Sequence, residues 1–238
     1  MRTSPLAISL LLAASVVQAA AQEEQSPFKG DADLAFNQST GNTESSSLFA
    51  RARGSYEKEA WLHSAELSAT SAEADGQQVS EQYEALWQTN YKFSEDSYVL
   101  ATARAQEYRY GEYDYRYALG VGIGHFFINE EDQQLSAEIG TGVSKDKAFA
   151  DDSAPERSQT FAQVRYINQF TETTRFEQKL RTEYTSDNTY LESETNIGVN
   201  INSTLALKVG YIIKNNSDVS VGVEKTDTFT YVGLNYVF

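Results

Sequence analysis

Cysteine is absent from the 238-residue chain, so it has no disulfide and no thiolate metal site. Histidine occurs twice, at His63 and His125, which leaves little material for general-base catalysis. Proline occurs three times, so long strands can run without interruption. Basic residues are also few. There are 19 Lys and Arg against 34 Asp and Glu, a net charge of -15, and nucleic acid is set aside as a partner. Beyond the first twenty or so residues, no apolar run is long enough for a membrane-spanning helix.

The N-terminus has the form of a secretory signal. Arg2 is followed by an apolar run from Leu6 to Val17, broken only by Ser9 and Ser15, and then by Ala19-Ala20-Ala21. Residues 1–21 are expected to be removed, with cleavage before Gln22 and no cysteine there to carry a lipid. Residues 22–27 then form a periplasmic tether, and 28–238 a single domain. An exported chain without a helical anchor is either free in the periplasm or set in the outer membrane as a barrel.

The residues present favour the barrel. The chain holds 15 Tyr and 12 Phe, the types that fill strands and interfacial girdles. A mean hydropathy of -0.50 is compatible with this, because half of each strand would face water. The last eight residues, Tyr231 to Phe238, put Leu234, Tyr236 and Phe238 on one face and Gly233 and Asn235 on the other. Gly233, Tyr236 and the terminal Phe238 resemble the C-terminal signal read by the barrel-assembly machinery, which is therefore an expected partner.

Period-two alternation recurs along the chain. Phe28, Gly30, Ala32, Leu34 and Phe36 alternate with Lys29, Asp31 and Asp33. A second run, Ser46 to Tyr56, sets Arg51 and Arg53 against Leu48, Ala50 and Ala52. Between them lies the turn Thr40-Gly41-Asn42-Thr43. This Gly-containing first strand, its turn and the length through to a terminal Phe resemble the YdiY-like family of salt-induced outer-membrane proteins, domain-of-unknown-function family 481. The resemblance implies an outer-membrane barrel, and only through it a link to salt or osmotic stress. It implies no reaction.

Ten further runs follow, giving twelve strands in all, an even number as a bacterial barrel requires. The fold expected is all-β, a twelve-stranded antiparallel up-and-down transmembrane barrel. In the stretch from Tyr98 to Tyr108 the phase is ambiguous, and Arg104 and Gln106 place Val99, Ala101 and Ala103 toward lipid. Long outward loops are expected at Ser71–Ser80, Lys145–Ser158 and Lys214–Asp227, with tight turns at the other end. Gly120, Gly122 and Gly124 on one inner face would let the wall bend or let long side chains approach. The run Tyr108, Tyr110, Tyr113, Tyr115, Tyr117 is expected in the upper aromatic belt.

Function then lies in the bore. Arg51, Arg53, Glu66 and Glu84 are expected to line it, with Arg104, Arg116, Glu138 and Arg165. Strand nine brings Arg175, Glu177, Lys179, Arg181 and Glu183 to the same face, opposite Glu192 and Glu194 of strand ten. Such an interior is either a polarised conduit or a plug of mutually satisfied charges. The sequence therefore points to a narrow or side-chain-filled pore for small polar or charged solutes, with no cofactor and no metal. The alternative is a structural or adhesive barrel whose acidic loop residues (Glu73, Asp75, Asp151, Asp152, Asp218, Asp227) meet cations, lipopolysaccharide or a partner. No enzymatic activity is expected. His63 and Ser64 are adjacent and so point to opposite faces, and both histidines fall near the periplasmic rim as girdle residues. Outer-membrane lipid and lipopolysaccharide are the expected surroundings.

Overall fold

In a computed structural model the chain is described over residues 26–39, 44–110, 113–148, 155–219 and 222–238. The signal sequence, most of the tether, the Thr40–Thr43 turn and the loop residues Asp151 and Asp152 lie outside the described residues. Twelve strands are present: β1 (Phe28–Ser39), β2 (Ser45–Lys58), β3 (Trp61–Ala74), β4 (Gln77–Lys92), β5 (Ser97–Tyr108) and β6 (Tyr113–Asn129). They continue as β7 (Gln133–Ala148), β8 (Glu156–Gln169), β9 (Thr174–Tyr184), β10 (Thr189–Asn200), β11 (Leu205–Asn216) and β12 (Thr226–Val237). Each pairs antiparallel with its sequence neighbour, and β1 pairs with β12, so the sheet closes on itself. Closure removes free sheet edges, which hydrocarbon does not tolerate.

Alternation decides which face each residue takes. On β5, Tyr98, Leu100, Thr102, Arg104 and Gln106 are buried inward, while Val99, Ala101 and Ala103 face out, which settles that strand's phase. Large apolar side chains make up the exterior: Leu34, Leu67, Leu119 and Val121 are each about 60% exposed. That surface is intelligible only against lipid.

One of the expected outer loops is largely strand, and the other two are shorter than the sequence suggests. The Ser71–Ser80 loop is absent: β3 and β4 run on to a two-residue turn at Asp75-Gly76, with φ of 49° and 75°. Positive φ at both positions is the type I′ hairpin that Asp-Gly favours. Lys145 belongs to β7 and Ser158 to β8. Lys214 belongs to β11 and Asp227 to β12, where they pair across the strands. The wall thus extends outward as a collar, and loop length alternates less with parity than the sequence suggests.

The inner glycines of β6 and β7 have a specific use. A Cβ on Gly140 would stand 2.3 Å from the Phe161 ring, and one on Gly124 would stand 2.2 Å from the Tyr98 ring. At Gly142 the obstacle is the facing backbone, with the Leu119 carbonyl oxygen 1.9 Å away. The rings lie over the wall from β8 and β5, neighbouring strands, and not from across the barrel.

Candidate functional site: a charged layer in the bore

The inner charges do not line an open tube. They meet in the middle. Arg51 on β2 reaches Glu194 on β10 at 2.6 Å, although three strands separate them around the wall. Arg104 on β5 contacts Glu84 on β4 at 2.9 Å, Glu183 on β9 at 2.6 Å and Glu192 on β10 at 3.4 Å. Lys179 sits between Glu192 and Glu194 at 3.2 and 3.0 Å, and Arg181 donates to Glu183 at 2.7 Å. Arg51 and Arg104 are only 5% and 4% exposed, so both guanidinium groups are shielded from bulk solvent.

The local sequence explains the placement. Charges at every second position of β9 and β10 all fall on the inner face. The register then sets Arg181 opposite Glu192 and Lys179 opposite Glu194, opposite signs side by side. Long arginine side chains from β2 and β5 span the remaining distance and bind carboxylates with planar forks.

The other expected lining residues join this layer or flank it. Arg51 also lies 3.7 Å from Glu66. Arg53 binds Asp31 at 2.7 Å and lies 3.9 Å from Glu177, which Arg165 holds at 2.6 Å. Arg116 donates to Asp146 at 2.9 Å. Glu138 accepts from Tyr98 at 2.8 Å, Gln88 at 2.9 Å and Gln163 at 3.3 Å, which ties β4, β5 and β8 to β7. Arg175 stands apart. It is exposed near the start of β9, and among the described residues no ion pair holds it.

Several members of the layer were not among the lining candidates. Asp33 accepts from Lys208 at 2.9 Å, and Asn235 donates to Asp31 and Asp33 at 2.8 and 2.7 Å. Alternation alone places Asp31, Asp33 and Lys208 inward, so the signal was present. Asp146 and Lys214 were hidden because their segments read as loops; Lys214 contacts Gln82 and Tyr108 at 3.3 Å. Tyr108 therefore turns into the bore and does not join the outer belt, whereas Tyr115 and Tyr117 pair with ring centroids 5.1 Å apart. Neutral rings fill what the charges leave. Tyr231 donates to Asn196 at 2.8 Å and accepts from Arg51 at 3.0 Å, and Tyr190 donates to Glu192 at 2.6 Å.

Elsewhere the chemistry is sparse. His63 bonds Thr89 at 2.6 Å and stacks on Trp61, and His125 bonds Ser97 at 2.9 Å. Neither ring touches a carboxylate among the described residues. Asp187, in the turn between β9 and β10, is bonded by Ser186 and by Arg157 at 2.7 Å, and these bonds hold its carboxyl below the usual range. Asp75 accepts from the Glu44 amide at 3.2 Å. Among the described residues, no group of three His, Cys, Asp or Glu is placed to hold a metal ion.

The closing strand carries the expected terminal signal in a definite geometry. Phe238 exchanges two backbone hydrogen bonds with Gly30, at 2.9 and 3.1 Å, and its ring stacks on Phe28 with centroids 6.1 Å apart. Tyr236 stacks on Phe238 in turn, and Gly233 admits the close approach of Leu34 and Ala35.

A closed antiparallel barrel with an apolar exterior and an ionic bore is an outer-membrane β-barrel. A solved structure shares the barrel fold. The NanC porin superposes with a TM-score of 0.56 at 9% identity, covering 87% of this chain and 98% of that one. The translocator domain of the autotransporter NalP from Neisseria meningitidis gives 0.49 at 9% identity, covering 89% and 87%. Residues 32–238 match the family described as "Protein of unknown function, DUF481", and the chain belongs to that family. A curated relative, "Uncharacterized protein YdiY" of Escherichia coli (strain K12), is 28% identical over 88% of this chain and 83% of its own length.

Proposed function

We propose that the protein is a narrow channel for small charged solutes, closed in this conformation by the ionic layer. The observation that carries the reading is the pairing of Arg51 with Glu194 and of Arg104 with Glu183 between strands that are not neighbours. Buried ion pairs are a poor way to stabilise a filled bore, since packed apolar side chains of similar volume do as well or better. What ion pairs offer is reversibility. A field, a pH change or an incoming ion can separate them, and water and solute replace the lost partner. The barrel fold shared with a protein described as a porin supports a conduit.

Planar-bilayer recording tests the reading. The wild type should give small discrete steps that grow with salt, because salt weakens the pairs. The double variant Arg51→Ala with Glu194→Ala should give larger steps. Silence of the wild type at all voltages would overturn the channel and leave a structural envelope barrel.

A further inference from the structure

The wall is not equally closed all the way round. Between β1 and β12 the paired residues run from Asp31↔Val237 to Ala35↔Gly233 and stop. Both strands continue outward. β1 stays paired with β2 as far as Ser39↔Ser45, and β12 stays paired with β11 as far as Asn215↔Thr226. The edges at 36–39 and 229–232 therefore run on without a ladder between them. Below this breach the seam is clasped from inside by Asn235, Lys208 and Arg53 on Asp31 and Asp33.

At the height of the breach the inner surface changes character. Ala35, Phe49 and Tyr231 form a buried cluster, with Ile212 and Phe229 packed against its edge. Phe49 stacks on Tyr231 with centroids 4.6 Å apart and leans on Phe229 at 5.7 Å. Aromatic side chains thus seal from within what backbone hydrogen bonds leave open. On the outer side of the same rows, Leu34, Phe36 and Val232 are 59%, 60% and 49% exposed, which is lipid-facing surface. Lipid is the phase in contact with the breach, and the layer around Arg51 blocks the way down.

We propose that the outer half of the β1–β12 seam is a lateral gate, through which an acyl chain of an outer-leaflet lipid enters and packs on Phe229, Phe49 and Ile212. Two packings compete at low cost: the rings on one another, or the rings on an alkyl chain of equal polarity. Elsewhere around the described wall, opening would break a backbone ladder in a solvent that cannot replace its hydrogen bonds. The gate is independent of conduction, since the acyl chain stops above the ionic layer.

The test uses the whole protein in phosphatidylcholine nanodiscs that contain a lipid with a diazirine in mid-chain. After illumination, adducts are mapped by mass spectrometry. Adducts on the inward residues Phe49, Ile212 or Phe229 are expected beside those on Phe36 and Leu234. Adducts confined to outward residues would overturn the gate. In a chain without native cysteine, Gln38→Cys with Thr230→Cys continues the register across the breach. Oxidation should abolish the inward adducts and reduction restore them. Inward adducts that persist in the oxidised protein would mean that lipid enters from the open end, and would overturn the proposal as well. If the pair does not oxidise, a short bismaleimide bridges the two thiols, and the bridged and unbridged proteins are compared in the same way.

Discussion

The two sides of the bore are filled by opposite means. Strands β9, β10 and β2, with Arg104 of β5, carry long charged side chains that reach inward to one another. Across the middle of β6 and β7, between the Arg116–Asp146 pair and Glu138, the inner face is glycine, and the Phe161 and Tyr98 rings cover it. One side supplies length and the other removes it. The charged side is held by electrostatics and tolerates changes of shape. The glycine side is held by contact distance and tolerates none.

Substitution should expose the difference most sharply at glycine. Gly142→Ala places its Cβ 1.9 Å from the Leu119 carbonyl oxygen. The obstacle is backbone, so no rotamer relieves it, and the barrel should fail to fold, as read by loss of heat-modifiable mobility on a gel. Gly198 on β10 is the matched control from the charged side. Its nearest obstacle is 4.0 Å away, and Gly198→Ala should stay within about 0.5 kcal/mol of wild type in denaturant unfolding. Equal effects at the two positions would erase the distinction.

The next largest effect belongs to the charged side. Glu194→Gln keeps the shape but leaves Arg51 and Lys179 without the carboxylate they share. Breaking a buried pair by removing one partner costs up to about 3–5 kcal/mol, and here Glu192, 3.2 Å from Lys179, and Glu66, 3.7 Å from Arg51, offset part of that loss. Replacing the set by apolar residues, Arg51→Met with Lys179→Met and Glu194→Leu, should cost much less. If the single variant is no worse than the triple one, water reaches the layer and the bore is wetter than its burial indicates.

The two sides also differ in how far the sequence reveals them. Charge at every second position of β9 announces both the strand and its inner face, because period two has no other physical source. The closing strand and the number of strands were legible for the same reason. What remained hidden depends on neighbours in space. Nothing in the sequence near Gly140 says that Phe161, on another strand, will cover it. Lys214 and Asp146 were lost to supposed loops, since polar residues on strands that rise above the membrane look like loop residues. Asp75-Gly76 is different: it is a strong two-residue hairpin signal, set among polar residues that suggested a longer loop. Alternation also says nothing of which charges will meet. Arg51 and Glu194 find each other through barrel closure, and no local rule pairs positions so far apart.

The smallest effect should come where the charged side reaches water. Asp187 is held below its usual carboxylate range first by its bond from Ser186 and then by Arg157, which also lies 3.7 Å from Asp146. A depressed carboxyl contributes stability that is complete above the unfolded value, about 4, and is lost as pH falls through the lower folded value. Acidification below about pH 4 should therefore loosen the β9–β10 turn, seen as faster amide exchange at Asn188 and Thr189, while neutral pH leaves it intact. Asp187→Asn should remove this dependence and change global stability hardly at all, because an exposed pair is screened. The contrast with Glu194 then rests on burial and on its second cation, Lys179 at 3.0 Å, since both carboxylates bind an arginine at 2.6–2.7 Å. A large loss of stability in Asp187→Asn would show that contact distance, and not exclusion of water, governs the charged side.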